Sequence, residues 1–150
     1  MAEFVYNEVQ LVQPGSPALL DDGIRCNRGL VLHRPGSGIL TFRGSNGGCQ
    51  PFARYRVAFD GNIAVPTDGT AGEIQLALAT DGEIIPTSIA AATPTVVDAY
   101  FNVSGFAIID VPACCCYTVS VRNASEGATA ADVPPALNVR NLNVEVTRIA

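Results

Sequence analysis

The chain has 150 residues, 48% of them apolar and 15% charged, with 14 glycines and 10 prolines spread along its length. That composition excludes disorder and argues against a helical bundle, and a chain this long buries enough surface to fold without a metal or disulfide. All nine basic residues are arginine and the formal net charge is −5, so lysine Schiff-base chemistry and a phosphate-binding P-loop are excluded and the charge pattern of a nucleic-acid binder is missing.

In chain order, the start Met-Ala-Glu-Phe-Val-Tyr has neither the basic opening nor the apolar run of a secretory signal, and no export is expected from it. Phe4, Val5, Tyr6, Val9, Leu11 and Val12 are sticky enough to form either an arm that adds a strand to a neighbour or the first strand of the chain's own sheet. Residues 1–25 are accordingly read as arm or first strand, and 26–150 as one domain. Pro35-Gly36 and the loose Gly44 to Gly48 stretch are turn signals.

Tyr55, Val57 and Phe59 then alternate with Arg54, Arg56 and Ala58, the period of a half-buried strand. Asp60-Gly61-Asn62 and Asp68-Gly69 read as turns. A second alternating segment, Ile74, Leu76 and Leu78, runs into Asp81-Gly82, whose tolerance of positive φ predicts a type I′ hairpin returning through Glu83 to Ile85. The uncharged stretch Ile84 to Val97 is interrupted by Pro86 and Pro94 and is too short for a membrane helix.

Phe101 to Val111 breaks the alternation. Val103, Ala107, Ile109 and Val111 make one side apolar, and Phe106 and Ile108 make the other apolar as well. A strand of a two-layer sandwich has one face in its own core, so the face of Phe106 and Ile108 is expected to meet another subunit, or else to be covered by a loop or the N-terminal segment. Tyr117, Val119 and Val121 mark a further strand. Residues 124–136 read as one surface loop. In the last segment Leu137 and Val139 share one parity and Leu142, Val144 and Val146 the other, so a β-bulge or bend near Arg140 or Asn141 must absorb one residue. Short strands, frequent turns and no helical period predict an all-β antiparallel sandwich or jelly roll.

Residues able to carry chemistry are few. His33 is the only histidine, which removes any His-paired metal site, and its place beside Arg34-Pro35 suits a surface or packing role. Asp21, Asp22, Glu73 and Glu83 offer carboxylates, but no spacing selects a pair for glycoside hydrolysis. The Asp-Gly turns are ordinary hairpin chemistry and lack the calcium-loop pattern. Asn102-Val-Ser104 and Asn123-Ala-Ser125 match the N-glycosylation pattern, which means little without export. Cys26 and Cys49 stand alone, while Cys114, Cys115 and Cys116 are consecutive. Cys115 must point away from its two neighbours in an extended chain, so one metal site using all three needs a sharp turn. Either the cysteines are small buried hydrophobes in a reducing cell, or Cys26 pairs with Cys49 and the triplet supplies a bond within or between subunits. Five is odd, and a leftover thiol is free or reaches a neighbouring chain.

The segments Ala53 to Phe59, Gly72 to Pro86 with its Asp-Gly-Glu-Ile-Ile-Pro ending, Cys116 to Asn123, and Leu142 to Ala150 resemble the trimeric jelly-roll heads of the tumour-necrosis-factor and complement-type superfamily. The likeness covers residues 50 to 150 and is nearest to bacterial and phage versions: the heads of collagen-like spore-surface glycoproteins, and small phage and prophage proteins of Gram-positive hosts. No Gly-X-Y stalk is present and the first 50 residues depart from the spore heads, which favours a stand-alone particle or fibre component. The resemblance implies a homotrimer with one sheet of each subunit packed around a threefold axis, and a structural or binding role instead of an enzymatic one. The expectation is a structural surface protein with no cofactor, present in many copies on a larger assembly. A phage capsid decoration or head-fibre protein at the virion surface, assembled in the host cytoplasm, comes first. The alternatives are a spore-surface or extracellular fibre subunit, or a head that binds a glycan or receptor. Its partners are itself and a capsid, coat or fibre protein, with neither nucleic acid nor membrane.

Overall fold

A computed structural model describes residues 1–21, 23, 29, 31–46, 48–127 and 129–150. Among these residues the strands follow in order: β1 Ala2–Tyr6, β2 Gln10–Val12, β3 Val31–His33, β4 Leu40–Arg43, β5 Phe52–Ala64, β6 Ile74–Thr80, β7 Glu83–Ile84, β8 Ala90–Ala92, β9 Phe101–Pro112, β10 Cys116–Asn123 and β11 Leu137–Arg148. One 3₁₀ turn, Pro86–Ser88, lies between β7 and β8. The first sheet has the order β1-β11-β5-β9, with β2 also on β11, and the second has the order β3-β4-β10-β6-β7, with β8 also on β6. All named pairings are antiparallel. This is the all-β jelly-roll sandwich that the alternation predicts, and no helix among the described residues is long and apolar enough to cross a membrane.

Each alternating segment turns its apolar parity to the space between the sheets. Tyr55, Val57, Phe59 and Ile63 of β5, Leu76 and Leu78 of β6, Val119 and Val121 of β10, and Val144 and Val146 of β11 are buried there with Phe42 and Leu40 of β4. Phe42 and Tyr55 meet ring to ring at 4.8 Å across the core. The Tyr55 hydroxyl donates to the Arg43 carbonyl at 2.5 Å, and burial pushes the phenol's pKa upward.

The expected irregularity in β11 is present. Its register against β5 slips between Arg140 and Asn143, and Asn141 takes a positive φ of 50°. Leu137, Val139, Leu142, Val144 and Val146 all therefore stay buried. Gly61 sits opposite the slip, where an added Cβ would come within 3.3 Å of Leu142 Cδ1. Asp60-Gly61-Asn62 is thus the interior of β5 and not a turn, since glycine here makes room for a bulge in the facing strand. Asp81 and Gly82, with φ of 49° and 90°, close the predicted hairpin between Thr80 and Glu83.

Residues 2–12 do not form a free arm. β1 runs beside β11 from Ala2 opposite Val146 to Tyr6 opposite Leu142, and β2 continues on the same strand. Phe4 and Val12 are buried in the core, Val5 and Tyr6 half-buried, and only Val9 and Leu11 remain exposed. Pairing with β11 and burial of Phe4 stabilise the segment more than solvent exposure as an arm would.

Candidate functional site

The outward face of the first sheet is built from the polar parity of β5 and the second apolar parity of β9. The two strands pair in unbroken register from Phe52 opposite Pro112 to Ile63 opposite Phe101. Arg54 therefore lies beside Asp110, Arg56 beside Ile108, Ala58 beside Phe106 and Asp60 beside Ser104. β9 ends the sheet, so its outer edge has no strand partner among the described residues. Phe106 and Ile108 are 56% and 58% exposed, while Val103, Ala107, Ile109 and Val111 of the same strand are buried. Among the described residues no loop and no N-terminal segment closes over them.

Polar groups frame this apolar centre. Arg54 holds Asp110 through Nε to Oδ1 and Nη2 to Oδ2, both at 2.7 Å, and that hydrogen-bonded pairing lowers the Asp110 pKa and raises that of Arg54. The Arg56 guanidinium lies 5.5 Å from the centre of the Phe106 ring, and the Arg54 guanidinium 4.9 Å from that of Phe52. A groove of about 470 Å³ runs beside Phe106, between Arg56, Ala58, Asp60, Asn143 and Glu145. Asn143 donates from Nδ2 to Glu3 Oε1 at 3.2 Å, whereas its buried Oδ1 finds no donor among the described residues. A buried acceptor without a donor is costly to the fold.

The other sequence candidates are scattered. His33 packs edge-on against Phe4 at 5.0 Å, and its Nε2 lies 2.9 Å from the Ser37 carbonyl, a packing role. Glu83 pairs with Thr80 at one end of β6 and Glu73 precedes the other end, roughly 20 Å away at strand rise. Asp21 is bonded through its backbone to Val5, and Asp22 lies outside the described residues. Glu73 instead shares a groove of about 660 Å³ with Glu126 and Asp132 at the far end of the sandwich. No group of three His, Cys, Asp or Glu among the described residues is placed to hold a metal ion.

Asn123, matched in the sequence as a glycosylation site, is buried: its Nδ2 donates to the carbonyls of Val12 and Pro135 and its Oδ1 accepts from the Ser125 amide. It ties β2 and the 124–136 loop to β10, and its bond to Val12, 111 residues away, is one that no local signal reveals. Asn102 is exposed beside Asn62. The expectation of buried cysteines fails, for Cys49, Cys114, Cys115 and Cys116 are all exposed free thiols. The reason is local: the triplet falls at the β9 to β10 turn and not in a strand interior. Cys26, and with it the pairing of Cys26 with Cys49, lies outside the described residues.

Two solved structures share this topology. The globular domain of a zebrafish complement 1qA protein superposes with a TM-score of 0.60 at 16% identity, covering 99% of this chain and 97% of that one. The Eiger TNF of S. frugiperda superposes with a TM-score of 0.61 at 10% identity, covering 100% and 92%. The chain has the C1q/TNF-type jelly-roll fold. No protein-family model matches the sequence, and no curated protein is significantly similar to it. At these identities the C1q/TNF likeness concerns the fold alone, and it spans nearly the whole of this chain, including the first 50 residues that the sequence likeness left out.

Proposed function

We propose that the chain is a non-enzymatic, self-associating head: a homotrimer in which the outward face of the first sheet packs around a threefold axis. The observation that carries this reading is the pair Phe106 and Ile108, more than half exposed on an edge strand whose inward side is already in the core. Large aliphatic and aromatic side chains side by side on a sheet face favour a protein partner. A trimer also fits the C1q/TNF-type fold. The centre of the face supports binding over catalysis, since Arg54 and Asp110 are tied to each other and Arg56 lies against the Phe106 ring.

Within this reading the trimer is carried in many copies by a larger assembly. We assign that assembly to a phage capsid, with the chain as decoration or head fibre at the virion surface, ahead of a spore surface or extracellular fibre. That assignment rests on the sequence resemblance to phage and spore heads. Light scattering of the purified protein in reducing buffer tests the core of the proposal. A mass three times 15.6 kDa is expected, and 15.6 kDa at micromolar concentration overturns it.

A further inference from the structure

At one end of the sandwich the β9 to β10 turn carries Cys114 and Cys115, Cys116 opens β10 directly after it, and the neighbouring loop carries Cys49, all four exposed. Backbone bonds clamp the two loops together: Ala113 donates to Pro51, Cys114 to Ser45, and Gly44 to Cys115, at 2.9, 3.0 and 2.9 Å. At Gly44 an added Cβ would overlap the Pro112 carbonyl, so the loops touch closely. Cys114 itself holds a φ of 61°, a conformation that glycine or asparagine adopts more readily. Four thiols are therefore held on a rigid platform in water, where cysteine is seldom found.

Neighbouring cysteines of the triplet are poorly suited to pairing with each other, since consecutive Cα atoms lie about 3.8 Å apart, below the roughly 4.4 Å minimum of an ordinary disulfide. Cys114, Cys115 and Cys116 are free thiols. Cys116 opens β10 opposite Arg43, on the opposite parity from the core residues Val119 and Val121. The turn also continues directly from β9, the strand that bears Phe106 and Ile108. A trimer joined through that face in parallel brings three such turns to the same end.

We propose that this thiol platform is a covalent junction, through which assembled heads join further copies of the same chain by disulfides from Cys114, Cys115 or Cys116. The occupant is a second copy because two identical turns can meet about a twofold axis and each supplies the thiol that the other needs. The oxidant is a low-molecular-weight disulfide such as oxidised glutathione. A cysteine thiolate attacks it, breaking its S–S bond, forming a mixed disulfide and releasing one glutathione thiolate. A thiolate of the second copy then displaces the other glutathione. Two protein thiols and one glutathione disulfide thus become one protein disulfide and two glutathiones, which take up the two protons.

This inference deepens the self-associating reading, and the two are tested separately. The full chain and a C114S/C115S/C116S variant are equilibrated in a glutathione redox buffer, quenched with an alkylating agent, and run on denaturing gels with and without dithiothreitol. The expected result is a ladder of covalent dimers and larger species for the wild type, abolished by dithiothreitol, and its loss in the variant. The variant should keep the wild-type mass by light scattering in reducing buffer. Alkylating the native wild type before oxidation checks the same point without mutation and should also abolish the ladder. A wild type that stays single-chained on the non-reducing gel, a variant that cross-links equally well, or thiols protected by a bound metal ion each overturn the junction. A monomer in reducing buffer that nevertheless forms the ladder would overturn the trimer and leave the junction standing.

Discussion

Replacing Phe106 and Ile108 together by alanine removes the apolar centre of the outward face while leaving the core untouched. A phenylalanine carries about 200 Å² of surface, so 56% exposure leaves roughly 110 Å² to bury, worth about 2.5 kcal/mol, and Ile108 at 58% leaves roughly 100 Å² and adds about as much again. Alanine retains part of this, so the loss is about 3 kcal/mol per subunit and about 9 kcal/mol per trimer. At 1.4 kcal/mol per decade the trimer equilibrium constant falls by about six decades, and because that constant carries concentration squared, the midpoint rises about a thousandfold. Sedimentation equilibrium over a concentration series reads the midpoint, and circular dichroism checks that the monomer stays folded, as the exposure of both side chains leads one to expect. An aspartate at position 106 is a weaker test, because Arg56 lies over that ring and can pair with the new carboxylate. If the double variant associates as the wild type does, the apolar pair is not in the interface and the assigned face is wrong.

Three further outcomes follow from the fold. Asn141→Val should lower stability by about 1–2 kcal/mol, a fall of roughly 2–8 °C in Tm, because a β-branched residue resists the positive φ on which the bulge depends, whereas Asn141→Gly should be neutral or better by thermal melting. Gly105→Ala should cost about 1–3 kcal/mol or more, measured by urea titration, since the new Cβ would crowd the Phe59 ring and the Ser88 carbonyl. The Asp110 carboxyl, held down by its hydrogen bonds to Arg54, favours the folded state above the unfolded carboxylate pKa of about 3.9, and this is lost as pH falls through the lower folded value. Asp110→Asn should therefore melt slightly below the wild type near neutral pH and together with it in strong acid, and an unchanged gap across that range would refute the assignment.

The long strands are legible in the sequence because their large apolar residues share one parity, so β5, β6, β10 and β11 print a period of two directly, even though the small Ala77, Ala79 and Ser120 are buried on the other face. The bulge at Asn141 is legible for the same reason, since the parity of the buried residues changes between Val139 and Leu142. Strands β2, β3, β7 and β8 hold two or three residues each, too few for alternation to show, and their pairing follows from neighbours distant in the chain. Asp60-Gly61-Asn62 carries turn chemistry yet lies in a strand, because Gly61 answers a bulge about 80 residues away. Of the candidate site, Phe106 and Ile108 were visible as the second apolar parity of β9. Arg54 with Asp110 and the unpaired Asn143 were not, since those contacts need the register of β5 against β9 and β11. Exposure of the thiols was hidden because a cysteine-rich stretch before a strand reads the same whether it is buried or in a turn.

The most direct test of the account is an experimental structure of the assembled protein. The C1q/TNF-type reading predicts three subunits around a threefold axis, with Phe106 and Ile108 buried against neighbouring subunits. An assembly joined through the second sheet, or one in which both side chains keep the 56% and 58% exposure of the single chain, would contradict it.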